Sequence, residues 1–261
     1  MTAKIRPHLM LSGRPVDYTL NFKNVLVSGC SFTFNNSDVH VCSWPYYLAD
    51  FAGLDFDQIY DCSQSGAGSN HTLYSVINEI ETNKNLSPEN TLVIVMWSGL
   101  TRTDVIAKRN ITKNWHHMSN YYFNSELATL SLFRNHDNTD TRLGKLSNLY
   151  SDTIGETEQI YQSCLNILAL KNYLENKNFK FIFTSWENPD LELSMVDNQL
   201  SNKVKFSIES SMEYLGDWCR EKNLLIPNDG HPTDEGHIQW CRQQLLPLLL
   251  ANKFVISRDT L

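Results

Sequence analysis

Asn24-Val-Leu-Val-Ser-Gly-Cys-Ser-Phe-Thr33 begins as an apolar run and breaks off in small residues, with Ser31 just past the glycine. Continuous apolar runs suit strands covered on both faces, as in a parallel sheet lying between helices. "TLVIVMW" (91–97) and "FKFIFTSW" (179–186) are runs of the same kind. Strands are expected at Val25–Ser28, Gln58–Asp61, Leu92–Trp97, Lys180–Ser185 and, more briefly, Leu224–Pro227. Helical patterns alternate with them. Ser43–Asp50 opens on a Ser N-cap with Pro45 in its first turn, and Ser69–Glu81 repeats Leu73, Val76, Ile77 and Ile80 at helical spacing. Glu156–Glu175, Lys203–Lys222 and Asp234–Leu250 complete the set. The alternation predicts one α/β domain over residues 1–261 with a mainly parallel, five-stranded sheet.

Composition narrows the function classes. With 261 residues, 41% hydrophobic and 20% charged, the chain has the make-up of a soluble globular protein. A net charge of −7, with no Lys/Arg run interleaved with aromatics, argues against nucleic acid as a partner. No apolar stretch suits a signal peptide or a membrane span, so neither export nor a membrane partner is expected. The six cysteines are scattered without a CxxC, which fits a reducing cytoplasm, of a bacterium or of an infected cell. No cofactor or metal is implied: His116-His117 are adjacent, point in different directions and have no Cys or carboxylate cluster beside them.

Three segments fall outside the alternation: an N-terminal extension (1–22), an insertion (100–154) containing "NWHHMSNYYFNSE", and "ENPDLELSMVDNQ" (187–199) after the fourth strand. The last two leave the carboxyl ends of strands, where parallel sheets place their ligands. They are expected to form the walls or lid of a pocket, and Trp115, Tyr121, Tyr122 and Phe123 could stack on sugar rings or form the lid's own core.

A serine at the end of a buried strand is either a turn residue or a nucleophile. The second role requires a base, a group that orients the base, and donors for an oxyanion. "IPNDGHPTDEGH" (226–237) offers His231 on a loop with Asp229 two residues before it, and Thr233 placed to cap the last helix. Asp234-x-x-His237 is a second acid–histidine pair in the same stretch. "CSQSGAGSN" (62–70) follows the second strand, where its glycines can turn the backbone and present N–H groups at the mouth of a helix. It is neither a dinucleotide fingerprint nor a P-loop.

Taken in order, "GCSFT", "SGAGSN", a third apolar strand and "DGHPTDEGH" resemble the SGNH (GDSL-type) hydrolase superfamily over roughly residues 24–250. The resemblance implies a three-layer α/β/α sandwich of flavodoxin-like form and metal-free hydrolysis of an ester or acetyl group. Carried over by position, Ser31 is the nucleophile and its N–H an oxyanion donor, Gly66 (rival Gly68) gives a second donor, and His231 is the base. Two places depart from the pattern. Where the family has an oxyanion Asn after the third strand, this chain reads Met96-Trp-Ser-Gly-Leu-Thr-Arg-Thr-Asp104, leaving Ser98 as the positional stand-in. Where the family has Asp three residues before the histidine, this chain has Asn228, and the acid is Asp229.

Asn70, Arg102 and Trp44 are candidate substrate-binding residues; helix capping, a solvated loop position and core packing are their respective structural alternatives. Cys30 reads as an inert thiol at a strand end. The expected substrate is a small-molecule or glycan ester. The same residues would serve acyl transfer to a sugar hydroxyl. A second hypothesis, a carbohydrate-binding or particle-associated protein with a degenerate site, draws on the missing Asn and the shifted Asp. It also draws on the likeness of these patterns to members met in bacterial and phage genomes.

Overall fold

A computed structural model describes residues 18–34, 42–108, 127–132 and 153–257, together with 145 and 149. Four parallel strands form the central sheet among the described residues: β2 (Asn24–Gly29), β3 (Ile59–Asp61), β4 (Thr91–Trp97) and β7 (Lys180–Ser185), in the order β3-β2-β4-β7. Two antiparallel pairs lie outside it. The short strand β1 (Tyr18–Leu20) pairs with β8 (Val255–Ser257), and β5 (Thr103–Lys108) pairs with β6 (Leu127–Leu132) inside the predicted insertion.

Strand alternation sends successive side chains to opposite faces, and both faces are apolar. Val25, Val27, Leu92, Ile94 and Met96 pack with α1 (Trp44–Ala52), α6 (Leu215–Glu221), α7 (Asp234–Trp240) and α8 (Leu246–Ala251). Leu26, Val93, Val95, Trp97 and Phe183 pack with α2 (Ser69–Thr82), α3 (Glu156–Asn176) and α5 (Asn198–Lys205). The result is three layers, α/β/α. In α3 the buried residues Ile160, Cys164, Ile167, Leu170 and Leu174 recur at intervals of three and four, the stripe that an amphipathic helix turns to a sheet.

Three expectations are corrected. Leu224–Pro227 forms no fifth strand: Leu225 makes a single antiparallel bridge to Pro232, because the chain doubles back within a few residues to build a loop. The helix expected over Lys203–Lys222 is two helices, α5 and α6, with Asp197 capping the first through Leu200 N–H. The last helix is interrupted by a π-type segment over Cys241–Leu245 between α7 and α8. A short helix, α4 (Asp190–Leu193), stands in the segment after β7. His116, His117, Trp115, Tyr121, Tyr122 and Phe123 lie outside the described residues. No helix among the described residues is long and apolar enough to cross a membrane.

Candidate active site

The sheet order changes direction at β2, which has β3 on one side and β4 on the other, and the crevice beyond such a strand is where open α/β sheets bind ligands. Ser31 sits at that point. After Gly29 the chain turns over sharply: the N–H groups of Thr33 and Phe34 both donate to Cys30 O, at 3.0 and 2.9 Å. Gly29 permits the turn by its lack of a side chain, since a Cβ there would lie 2.5 Å from Thr33 Oγ1 and 2.7 Å from Met96 O. Ser31 is left partly exposed at the crest while Cys30 beside it is fully buried.

His231 reaches Ser31 across 200 residues of sequence, with Nε2 2.8 Å from Ser31 Oγ. Its Nδ1 lies 2.8 Å from Asp229 Oδ1. A carboxylate can only accept, so Nδ1 carries a proton, and in the neutral form of the ring Nε2 is then the acceptor for the serine hydroxyl. The loop achieves this by unusual backbone on both sides of the acid. Asn228 and Gly230 are left-handed, at φ 63° and 77°, conformations that Asn and Gly tolerate best. Asp229 and Gly230 N–H both point to Ile226 O (3.3 and 3.2 Å), and Ile226 N–H donates to His231 O at 2.7 Å. Asn228 thus serves the turn, and the acid one residue nearer reaches the imidazole. Thr233 closes the loop, accepting from Gly236 N–H (3.1 Å) as the N-cap of α7 and donating to Leu224 O (3.1 Å).

The glycine-rich loop runs alongside, tied to the serine strand by Gln64 N–H donating to Gly29 O at 3.0 Å. Gly66 is left-handed (φ 76°), and neither its N–H nor that of Ser31 has an acceptor among the described residues. Gly68 is different. Its N–H donates to Asp104 Oδ2 at 2.8 Å, so the rival oxyanion donor is already engaged. Asp104 comes from β5 and is fully buried. Its Oδ2 also accepts from His71 N–H (3.0 Å), so a carboxylate from the insertion caps α2 from outside the helix. Burial pushes its pKa up to about 6, against the pull of those backbone N–H groups.

The remaining candidates are placed as follows. Ser98 follows β4 and is 5% exposed. Its loop is pinned by Glu192 of α4, whose carboxylate accepts from Leu100 N–H (2.9 Å), Thr101 N–H (3.2 Å) and the Thr101 hydroxyl (3.2 Å). Arg102 is half-buried near Glu187, whose pKa burial and then Asp217 raise against the opposing pull of Arg220 and, least of all, Arg102. Asn70 donates to Asp104 O (2.7 Å) and accepts from Asn166 (3.0 Å), joining α2, β5 and α3. Trp44 is corrected too: it is 0% exposed beneath the serine turn, with Nε1 donating to Thr33 Oγ1 at 3.4 Å and its ring edge-on to Trp240, so it packs core.

Two residues beside the histidine escaped the sequence reading. Phe32 stacks on His231, and Trp186, just beyond β7, stacks on Phe32. The sequence signal for them was slight: Phe32 follows Ser31, three residues past the end of β2, and Trp186 comes directly after β7. Among the described residues, no group of three or more His, Cys, Asp or Glu side chains is arranged to hold a metal.

No family model matches the chain, and no curated protein does. Solved structures with a similar course include protein YxiM of Bacillus subtilis, at 10% identity and TM-score 0.44. That match covers 89% of this chain and 58% of the other, so the chain spans little more than half of YxiM. A Bacteroides fragilis protein provisionally assigned as an acylhydrolase matches at 14% identity and TM-score 0.37 over 88% of each chain. Both scores lie below 0.5, and the functional reading rests on the side chains themselves.

Proposed function

We propose that the protein is a serine hydrolase of the SGNH type that cleaves an ester, an O-acyl or O-acetyl group on a carbohydrate or small metabolite. The observation that carries this reading is the linked pair of 2.8 Å contacts, Ser31 Oγ to His231 Nε2 and His231 Nδ1 to Asp229. In the mechanism, His231 takes the hydroxyl proton as Ser31 Oγ attacks the acyl carbon, and Asp229 stabilises the imidazolium. The N–H groups of Ser31 and Gly66 receive the oxyanion. The imidazolium then protonates the leaving alkoxide, giving acyl-Ser31 and an alcohol. Water, deprotonated by His231, releases the acid and regenerates the serine; a sugar hydroxyl in place of water would make the same site an acyltransferase.

A binding-only reading draws on one observation: Ser98, where the family has its third oxyanion donor, is buried in the loop that Glu192 holds. Absence of one donor lowers rates by about 10²–10³-fold without abolishing chemistry. The test is turnover of p-nitrophenyl acetate and acetylated sugars by wild type and Ser31→Ala. Turnover lost in the variant supports hydrolysis, whereas equal rates in both would leave glycan binding as the better account.

A further inference from the structure

Hydrogen bonds hold the imidazole of His231 by its two nitrogens. Apart from those bonds the ring turns about its Cβ–Cγ bond, and a contact on its face opposes that turn. Phe32 supplies that contact, its ring centroid 4.8 Å from that of His231 and inclined by 20°. Phe32 is in turn stacked on Trp186, with centroids 4.1 Å apart at 21°.

Trp186 is held from three directions. Its N–H donates to Trp97 O (3.1 Å) at the end of β4, and its carbonyl accepts from Gly216 N–H (2.6 Å) in the first turn of α6. Its ring lies against Gly216 so closely that a Cβ there would stand 2.4 Å from Trp186 Cε3. A continuous line of contact therefore runs from β4 and α6 through Trp186 and Phe32 to the face of His231. Both rings also belong to the core, Phe32 at 4% exposure and Trp186 packed against it while partly exposed at the sheet's carboxyl edge, so the test needs a readout that core packing alone would not move.

The geometry points to Phe32 and Trp186 as positioning residues for His231, a two-tier aromatic stack that fixes the plane of the base; the inference rests on reading Ser31 and His231 as the reacting pair. The electron-rich face of Phe32 also favours the imidazolium that forms when His231 takes the serine proton. Among the described residues, Asp229, bonded to it, and His237 on α7 are titratable groups that bear on His231.

The test compares wild type, Phe32→Leu, Trp186→Leu and Trp186→Phe. Two readouts are used: the second-order rate of labelling by a fluorophosphonate, and proton–nitrogen NMR of the His231 imidazole in the resting protein. Loss of one aromatic contact corresponds to a slowing of about tenfold in Phe32→Leu and about threefold in Trp186→Leu, with Trp186→Phe within about twofold of wild type. In the spectra, wild type holds a single Nδ1–H tautomer, and Phe32→Leu shows averaged nitrogen shifts. Wild-type labelling rates and unchanged His231 shifts in both leucine variants would overturn the inference. A wild type that never labels, but whose His231 shifts still average in Phe32→Leu, would uphold the stack and sink the nucleophile reading. Trp186→Leu keeps the test open should Phe32→Leu not fold, because Trp186 is partly exposed.

Discussion

His231 and His237 stand six residues apart, each a short step after an aspartate, and only one of them is hydrogen-bonded to both an acid and a serine. His231 is on a loop, partly exposed, with a partner at each ring nitrogen. His237 is inside α7 at 3% exposure, and its Nδ1 has no partner among the described residues. Burial, aided by the nearby His231, pushes its pKa down to about 3, so it stays neutral. The acid before it faces elsewhere: Asp234 Oδ1 accepts from Cys42 N–H (2.8 Å) and the Tyr47 hydroxyl (2.7 Å), fastening α7 to α1. Acid–histidine spacing therefore does not make a hydrogen-bonded pair. The left-handed residues on either side of Asp229 make it, by turning acid and imidazole toward each other.

The comparison can be broken most decisively at the loop. Ser31→Ala and His231→Ala are each expected to lower ester turnover by at least about 10⁴-fold, measured as kcat/KM, while leaving the fold intact. Asp229→Asn should cost about 10²-fold in kcat. The loss is smaller because both side chains are partly open to water, which can take over part of the orienting bond. A rate unchanged in Asp229→Asn would mean that the acid serves only the turn.

The helix side predicts effects on stability instead. Asp104→Ala leaves two N–H groups at the mouth of α2 without their acceptor and should lower unfolding stability by about 2 kcal/mol in a urea titration. His237→Phe should leave turnover at pH 7 within about threefold of wild type. Its signature is in acid. His237 and His71, held at about 3 and about 4 by burial, take up protons on unfolding once the pH drops below the ordinary histidine value of about 6.5. Stability therefore falls as pH falls through that window, and Asp104, raised to about 6, works in the opposite sense between about 6 and 4. Tm between pH 7 and 4.5 should fall less in His237→Phe than in wild type, and an equal fall in both would show that His237 is not a source of the acid sensitivity.

The layered fold was legible because β2, β4 and β7 are buried on both faces and therefore apolar without alternation, a pattern that few other settings produce. The meeting of Ser31 and His231 was legible from the order of the motifs and the chemistry of the two side chains. What stayed hidden depends on contacts between distant segments. Nothing local marks Asp104 as the cap of a helix more than thirty residues upstream, Glu192 as the clamp on the loop after β4, or Trp186 as the support of Phe32. The missing fifth strand has a similar cause: Leu224–Pro227 reads as a strand locally, but its hydrogen bonds go to its own return, not to β7.

The central claim, an activated Ser31 served by His231, is tested most directly by intact-mass measurement after exposure to a fluorophosphonate. The account predicts a single adduct on wild type, absent from Ser31→Ala and His231→Ala and retained in His237→Phe. No adduct on folded wild type, or an adduct that survives Ser31→Ala, would contradict it.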